Sequence, residues 1–128
     1  MTGKLRVLLA DDYPGLLKSY RRLLEPTHSV IGSLTDGDAV VEAARTLQPD
    51  VIVIDFAMPG LDGVAACRQI RQLAPRSKVV LITAADDDLM AQTASDAGAA
   101  AFVSKYRAAE DLLREIHRVC VGVVAGVT

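Results

Sequence analysis

The sequence predicts an α/β fold: a doubly wound, five-stranded, mostly parallel sheet with helices on both faces. Short runs rich in Val, Ile and Leu alternate five times with segments whose apolar residues recur at helical spacing. The strand-like runs are apolar almost throughout, which is typical of parallel strands buried on both faces. At 128 residues the chain has the length of one domain, so we treat residues 1–128 as a single unit.

The elements follow one another as five strand–helix pairs. The predicted strands are Leu5–Ala10, Ser29–Leu34, Val51–Asp55, Lys78–Thr83 and Ala101–Ser104. The apolar stripe of the first predicted helix consists of Leu16, Leu17, Tyr20, Leu23 and Leu24. The stripe of the fourth helix consists of Leu89, Met90, Thr93 and Ala97. The stripes of the second, third and fifth helices begin at Val40, Val64 and Leu112. Pro14 suits the first turn of the first helix, Asp62 caps the third, and the acidic run 86–88 caps the fourth. Gly98 and Gly122 suit the ends of the fourth and fifth helices.

Composition and charge exclude several classes of protein. The net charge is −2, so no overall basic field favours binding to nucleic acid or to anionic lipid. No apolar stretch approaches the ~18 residues that a membrane span needs, and the short run after MTGKLR does not resemble a signal peptide. The two cysteines, Cys67 and Cys120, fall within helical patterns and are interpreted as reduced, packed thiols. We therefore expect a cytoplasmic chain with no membrane partner.

Polar residues gather where the predicted strands end. Asp11 and Asp12 follow the first strand, Asp55 ends the third, Thr83 ends the fourth and Lys105 follows the fifth. Open parallel sheets bind ligands beyond the carboxyl ends of their strands, so these side chains are expected to meet at one edge. Crowded carboxylates repel one another, and Mg²⁺ with retained waters is the cation that best relieves this repulsion.

The same edge also carries donors for an anion. A lysine and a hydroxyl beside a metal suit a phosphate, which makes phosphoryl transfer to a carboxylate the predicted chemistry. Each acid taken alone has a plainer interpretation, because an Asp at a strand end is often a solvated turn residue and Asp12 could cap the first helix. Only the combination favours a reactive site.

The motifs that carry these residues occur in a characteristic order. ADD at the end of the first strand, IDFAMPGLDG, LITA and GAAAFVSK together resemble the receiver domains of two-component response regulators. The segment DDYPGLLKSYRRLL is most similar to receivers of the LuxR/NarL type, which precede a DNA-binding helical domain. The resemblance covers the whole chain, and it implies the flavodoxin-like, CheY-like (βα)5 fold with strand order 2-1-3-4-5.

The resemblance implies a phosphoacceptor and a metal site. Asp55 matches the phosphoacceptor, and Asp12, Asp55 and the backbone carbonyl of Ala57 match the Mg²⁺ ligands. Asp11 is similar to the carboxylate that holds the metal through water.

The resemblance also implies a switch. Lys105 and Thr83 match the groups that bind the phosphoryl oxygens, and Thr83 and Phe102 match the residues that move on activation. Many relatives carry Tyr at the position of Phe102, whose ring offers no outward hydroxyl.

Two-component signalling is therefore the leading functional hypothesis. The implied partner is a sensor histidine kinase, a homodimer is compatible with the resemblance, and DNA would be reached only through an output domain that this chain does not encode. The chief alternative is a Mg²⁺-dependent phosphatase of the haloacid-dehalogenase type, but that chemistry needs a second Asp two residues after the nucleophile, where this chain has Ala57. A flavodoxin-type cofactor module would need a Ser/Thr/Gly-rich loop after the first strand, where this chain has DDYPGLL.

Overall fold

The strands of the computed structural model form one parallel sheet. The structure describes residues 4–84 and 88–122. Its strands are β1 (Arg6–Ala10), β2 (Ser29–Leu34), β3 (Val51–Asp55), β4 (Lys78–Thr83) and β5 (Ala101–Ser104). They lie in the order β2-β1-β3-β4-β5, and every neighbouring pair is parallel. The predicted fold class and strand order are confirmed, and β1 begins one residue later than predicted.

Helices connect the strands in the described part of the chain. They are α1 (Pro14–Leu24), α2 (Gly37–Leu47), α3 (Gly63–Leu73), α4 (Asp88–Asp96) and α5 (Ala108–His117). Pro14 occupies the first turn of α1, and the carboxylate of Asp62 caps α3 by accepting from the backbone N–H of Ala65 at 2.9 Å. Gly98 follows α4 with φ of +93°, a conformation that glycine adopts without strain. These predicted helix boundaries are confirmed.

The end of the last helix differs from the prediction. The α-helical hydrogen bonding of α5 stops at His117, and the chain continues through a π-helical turn, Arg118–Gly122. The apolar spacing of α5 continues through Val119 and Cys120. A change from α to π hydrogen bonding leaves that spacing intact, so the pattern alone could not reveal it.

Two layers of apolar side chains cover the sheet. Ile52 and Ile54 of β3 belong to a buried cluster with α2, α3 and α4, whereas Val51 and Val53 belong to a second cluster with α1 and α5. Successive side chains of a strand point to opposite faces, so a strand covered on both sides must be apolar at every position. We call the second side of the sheet the α1/α5 face.

The fourth helix packs differently from its predicted stripe. Leu89 was expected in the core, but 74% of it is exposed, whereas Ala94 and Ala97 are buried. Small side chains therefore make the contact between α4 and the sheet, and hydrophobicity alone favoured the wrong residue. Asp88 begins α4, while Asp86 and Asp87 of the predicted acidic cap lie outside the described residues.

Both cysteines are free thiols, as predicted. Cys67 is fully buried in α3, and its Sγ lies 3.4 Å from the backbone carbonyl of Ala97, to which it donates. Burial raises the pKa of the Cys67 thiol to about 11, so it stays protonated and acts as a packed core group. Within residues 4–84 and 88–122, no helix combines the length and apolarity required to cross a membrane.

A histidine ties the start of β1 to the start of β2. His28 is half-buried, and its Nδ1 accepts from the backbone N–H of Leu5 at 3.3 Å. Burial lowers the pKa of His28, and the charge of His117 lowers it further. A protonated Nδ1 could not accept this hydrogen bond, so the neutral form is the one that supports the fold.

We expect the free energy of unfolding to fall between about pH 7 and pH 5.5 because of His28. The pKa of His28 is lower in the folded state than in the unfolded state, so the unfolded chain takes up the proton first as the pH falls. The stabilisation is therefore present above about pH 6.5 and is lost as the pH falls below that value. Urea denaturation across this range should show a steeper loss for wild type than for His28→Asn, whose amide oxygen can accept without titrating. His117→Asn should weaken the dependence without removing it. Parallel profiles for wild type and His28→Asn would contradict this assignment.

Candidate functional site

Three carboxylates meet at the carboxyl edge of the sheet. Asp55 is the last residue of β3, and Asp11 and Asp12 follow the neighbouring β1. One oxygen from each of the three lies within 4.8 Å of the others. Asp11 and Asp55 are buried, with 3% of Asp55 exposed, whereas Asp12 is exposed. The structure thus brings together the acids that the sequence predicted would meet.

Lys105 provides the positive charge of this cluster. Its Nζ lies 3.2 Å from Oδ1 of Asp55 and 3.9 Å from Oδ2 of Asp11, with 25% of the side chain exposed. The backbone turns immediately after β5, where the Ser104 hydroxyl accepts from the backbone N–H of Tyr106 at 3.2 Å. This turn aims the lysine across the end of β4 toward β3.

Burial and mutual repulsion dominate the electrostatics of the acids. Burial raises the pKa of Asp55, the charge of Asp11 raises it further, and the ammonium of Lys105 opposes both effects. The pKa of Asp11 is also raised, mainly by burial, against the lowering effects of Lys105 and of the Tyr13 backbone N–H, which donates to Oδ1 at 2.9 Å. With three carboxylates around one ammonium, the described cluster carries excess negative charge.

The donor set fits a hard divalent cation. Oδ2 of Asp11 is buried and accepts no hydrogen bond, and two further carboxylates converge beside it. Oxygen ligands of this type are those that Mg²⁺ prefers. A cleft of about 490 Å³ opens beside Asp12, and its wall consists of Asp12, Phe56, Ala57, Met58, Pro59 and Asp62. Ala57, whose backbone carbonyl was predicted as a ligand, therefore lies next to the acids.

The two predicted switch residues lie on β4 and β5, on the side of Asp55 that is opposite to Asp11 and Asp12. Thr83 is the buried last residue of β4 and pairs with Ser104 of β5. Phe102 is half-buried, pairs with Leu81 and packs against the cluster beneath α4. Because side chains alternate along a strand, Thr83 points to the same face as Leu81 and therefore to the α4 side. Thr83 thus links the end of β4 to the side of the sheet that holds Phe102.

A close backbone contact holds the loop that follows Asp55. The backbone N–H of Gly63 donates to the carbonyl of Phe56 at 3.0 Å, which closes the loop between β3 and α3. A Cβ at Gly63 would lie 2.4 Å from the backbone oxygen of Asp55 and 2.9 Å from Cα of Phe56. Only glycine permits α3 to begin this close to the acid.

One polar group near this site was not predicted from the sequence. Tyr20 was grouped with the apolar stripe of α1, and its ring is indeed buried among α1/α5-face residues. Its hydroxyl, however, is buried without a hydrogen-bond partner. A tyrosine in a stripe otherwise formed by leucines was the available signal.

Comparison with known proteins identifies the family. Residues 7–117 match the model of the response regulator receiver domain. The chain belongs to this family. Two solved receiver structures share its architecture. A LuxR-family two-component response regulator from Aurantimonas sp. SI85-9A1 is 30% identical, with a TM-score of 0.88, and the match covers 94% of this chain and 87% of that chain. The response regulator domain of Thermotoga maritima CheB is 28% identical, with a TM-score of 0.84, and the match covers 91% of this chain and 96% of that chain.

Curated relatives are longer than this receiver chain. The nitrate/nitrite response regulator NarL of Escherichia coli K12 is 30% identical over 91% of this chain and 55% of its own length. The response regulator GacA of Pseudomonas aeruginosa PAO1 is 31% identical over 92% of this chain and 56% of its own length. The receiver is therefore of the LuxR/NarL type, and it spans about half the length of the curated relatives it matches.

Proposed function

We propose that this receiver takes a phosphoryl group from a sensor histidine kinase onto Asp55 and passes the signal on through a change of its surface. The observation that carries the proposal is a buried carboxylate at a strand end, 3.2 Å from the ammonium of Lys105 and within 4.8 Å of two further carboxylates. Such a group is costly to bury as a simple turn residue. It is well suited to act as a nucleophile toward a phosphoryl group.

The proposed step is a displacement at phosphorus. A carboxylate oxygen of Asp55 attacks the phosphorus of the phosphohistidine on the kinase, and an O–P bond forms while the P–N bond breaks. The electron pair of the P–N bond stays with the imidazole, which leaves and takes a proton from water. Lys105 opposes the rise in the pKa of Asp55, which favours the ionised carboxylate beforehand, and then holds the charge of the phosphoryl oxygens.

Asp12, Asp55 and the backbone carbonyl of Ala57 would hold Mg²⁺, with Asp11 holding it through water. When bound, the ion neutralises charge on the phosphoryl oxygens. The support for this assignment is the convergence of the three carboxylates and the unpartnered Oδ2 of Asp11. Asp11 and Asp12 would therefore act on the transferred phosphoryl group indirectly, by positioning the ion and its positive charge beside that group.

Thr83 and Phe102 would carry the change away from Asp55. The Thr83 hydroxyl donates to a phosphoryl oxygen, which draws the end of β4 toward the acid. The ring of Phe102, which packs on the α4 side of β5, then changes its packing. The exposed surface of α4, β5 and α5 is the surface on which a partner would detect this change.

The output we propose is transcriptional. EvgA of Escherichia coli K12, 27% identical over 88% of this chain, is described as a DNA-binding transcriptional activator. This receiver matches 55% of EvgA's length, and we assign no contact with DNA to the receiver itself. The net charge of −2 supports this assignment, because DNA-binding domains usually carry a basic surface.

The phosphatase alternative lacks a general acid. A phosphatase with an aspartate nucleophile needs a second acid two residues further along, and Ala57 at that position has only a methyl group. The other acids of the described cluster, Asp11 and Asp12, follow β1 and do not occupy the position two residues after Asp55.

We expect acetyl phosphate with Mg²⁺ to add one phosphoryl group to the wild-type chain and none to Asp55→Asn. A small phosphodonor suffices because the charges that assist transfer belong to the receiver itself. Intact-mass measurement reads the result, for one reaction that contains Mg²⁺ and for a second reaction from which EDTA has removed it. Asp62→Asn is the matched control, since Asp62 lines the same cleft but caps α3. Equal labelling of wild type and Asp55→Asn would refute the proposed function.

A further inference from the structure

Tyr20 places a hydroxyl where the fold gives it no partner. It is 5% exposed and is the only buried member of the described α1/α5-face cluster that carries a polar side-chain atom, the others being aliphatic. Its hydroxyl makes no hydrogen bond within the protein. Burying an unpaired hydroxyl destabilises the folded state, and phenylalanine would avoid this cost. Packing alone therefore does not account for a tyrosine here.

The ring of Tyr20 extends toward the acidic edge of the sheet. The helix α1 begins directly after Asp12 and Tyr13, and helical side chains tilt toward the N-terminus of their helix. Asp55 lies on the same face of β3 as Val51 and Val53, which belong to the cluster of Tyr20. Tyr20 and Lys105 also line one groove between α1 and α5.

Electrostatics agree with this direction. Burial raises the pKa of the Tyr20 hydroxyl to about 12, and the charges of Asp11 and then Asp55 contribute to the shift. The hydroxyl therefore remains a donor across the physiological range. A hydroxyl donor of this kind suits a carboxylate oxygen as its acceptor.

The matching acceptor is Oδ2 of Asp11. This oxygen is buried and accepts no hydrogen bond, whereas Oδ1 of the same carboxylate accepts from the Tyr13 backbone. Its distance of 3.9 Å from Nζ of Lys105 is too long for a direct hydrogen bond. A buried donor and a buried acceptor, neither with a hydrogen-bond partner, thus lie on the same side of the sheet.

We infer that Tyr20 is a positioning residue for the acidic site: its hydroxyl donates a hydrogen bond, through one bridging water, to Oδ2 of Asp11. A bridged hydrogen bond of this kind holds nearly as well as a direct one. It fixes the orientation of the Asp11 carboxylate and leaves Lys105 to Asp55. The inference rests on the proposed function in that Asp11 serves the Mg²⁺ site.

Mg²⁺ alone is the probe for the first test. Isothermal titration should show about tenfold weaker Mg²⁺ binding to Tyr20→Phe than to wild type, because losing the group that orients a ligand costs this much. Ser19→Ala, which removes an exposed hydroxyl from the same helix, should bind as wild type does. In an Asp11→Ala background, Tyr20→Phe should have no further effect. Unchanged affinity of Tyr20→Phe, or an equal loss in both backgrounds, would overturn the inference.

A second readout needs no metal and no tyrosine variant. In the wild-type chain with isotope-labelled tyrosine, the Tyr20 hydroxyl proton should exchange slowly enough to be observed by NMR, and the signal should disappear in Asp11→Ala. Rapid exchange in wild type would overturn the inference even if Tyr20→Phe failed to fold. Neither readout involves phosphate, so a chain that passes both but is never labelled at Asp55 would refute the proposed function and leave the role of Tyr20 standing.

Discussion

Lys105→Ala is expected to leave the fold intact and to weaken binding of beryllofluoride, a phosphoryl mimic, by about 10- to 100-fold, since a charge-assisted hydrogen bond of this kind contributes about 1.5–3 kcal/mol. The side chain lies at a strand end and is partly exposed, so its truncation opens no core cavity. The ammonium 3.2 Å from Asp55 is lost, however, and with it the charge that would hold the bound group.

Amide shifts on adding beryllofluoride and Mg²⁺ measure this effect. In wild type the shifts should extend from Asp55 to β4 and β5, and in Lys105→Ala they should stay near Asp55 even at saturation. Lys78→Ala is the control, since Lys78 is an exposed lysine at the opposite end of β4. A wild-type response in Lys105→Ala would show that Lys105 does not bind the phosphoryl group.

Gly63→Ala is expected to lower the free energy of unfolding by about 3 kcal/mol and to displace Asp55. The new Cβ would lie 2.4 Å from the backbone oxygen of Asp55, and a backbone atom of a buried strand cannot move aside as the end of a side chain can. The start of α3 must shift or the end of β3 must yield. The second response would move the carboxylate away from Lys105.

Urea denaturation of Gly63→Ala and Gly32→Ala tests this prediction. A Cβ at Gly32 would meet only Cδ1 of Leu8, at 2.9 Å, and the end of a leucine side chain can rotate away. We expect Gly32→Ala to cost less than about 1 kcal/mol. Similar losses in the two variants would show that the contact between Gly63 and Asp55 is not tight.

The parts of the fold that were predictable depend on side chains that touch the core. Val51 to Ile54 read as a doubly buried strand because each face of the sheet needs an apolar residue at every second position. Asp55 stood out because a charge directly follows that run. The convergence of Asp11, Asp12, Asp55 and Lys105 followed from the rule that parallel strands end at one edge.

Other features depend on tertiary contacts that spacing does not encode. Leu89 has the position and the hydrophobicity of a core residue, yet α4 approaches the sheet through Ala94 and Ala97. The acceptor role of His28 could not be predicted, because it requires the backbone of Leu5, 23 residues away in sequence. Tyr20 fitted an apolar stripe, and helical spacing could not show that its hydroxyl is buried without a hydrogen-bond partner.

The proposed function depends most directly on which residue receives the phosphoryl group. Borohydride reduces an acyl phosphate to the alcohol, so reduction after labelling with acetyl phosphate marks the modified aspartate permanently. Tryptic cleavage after Arg45 and Arg68 isolates the peptide that contains Asp50, Asp55 and Asp62, and fragmentation assigns the altered residue. We predict homoserine at position 55 and unmodified Asp50 and Asp62. Homoserine at position 50 or 62, or at no position of this peptide, would contradict the assignment of Asp55 as the phosphoacceptor.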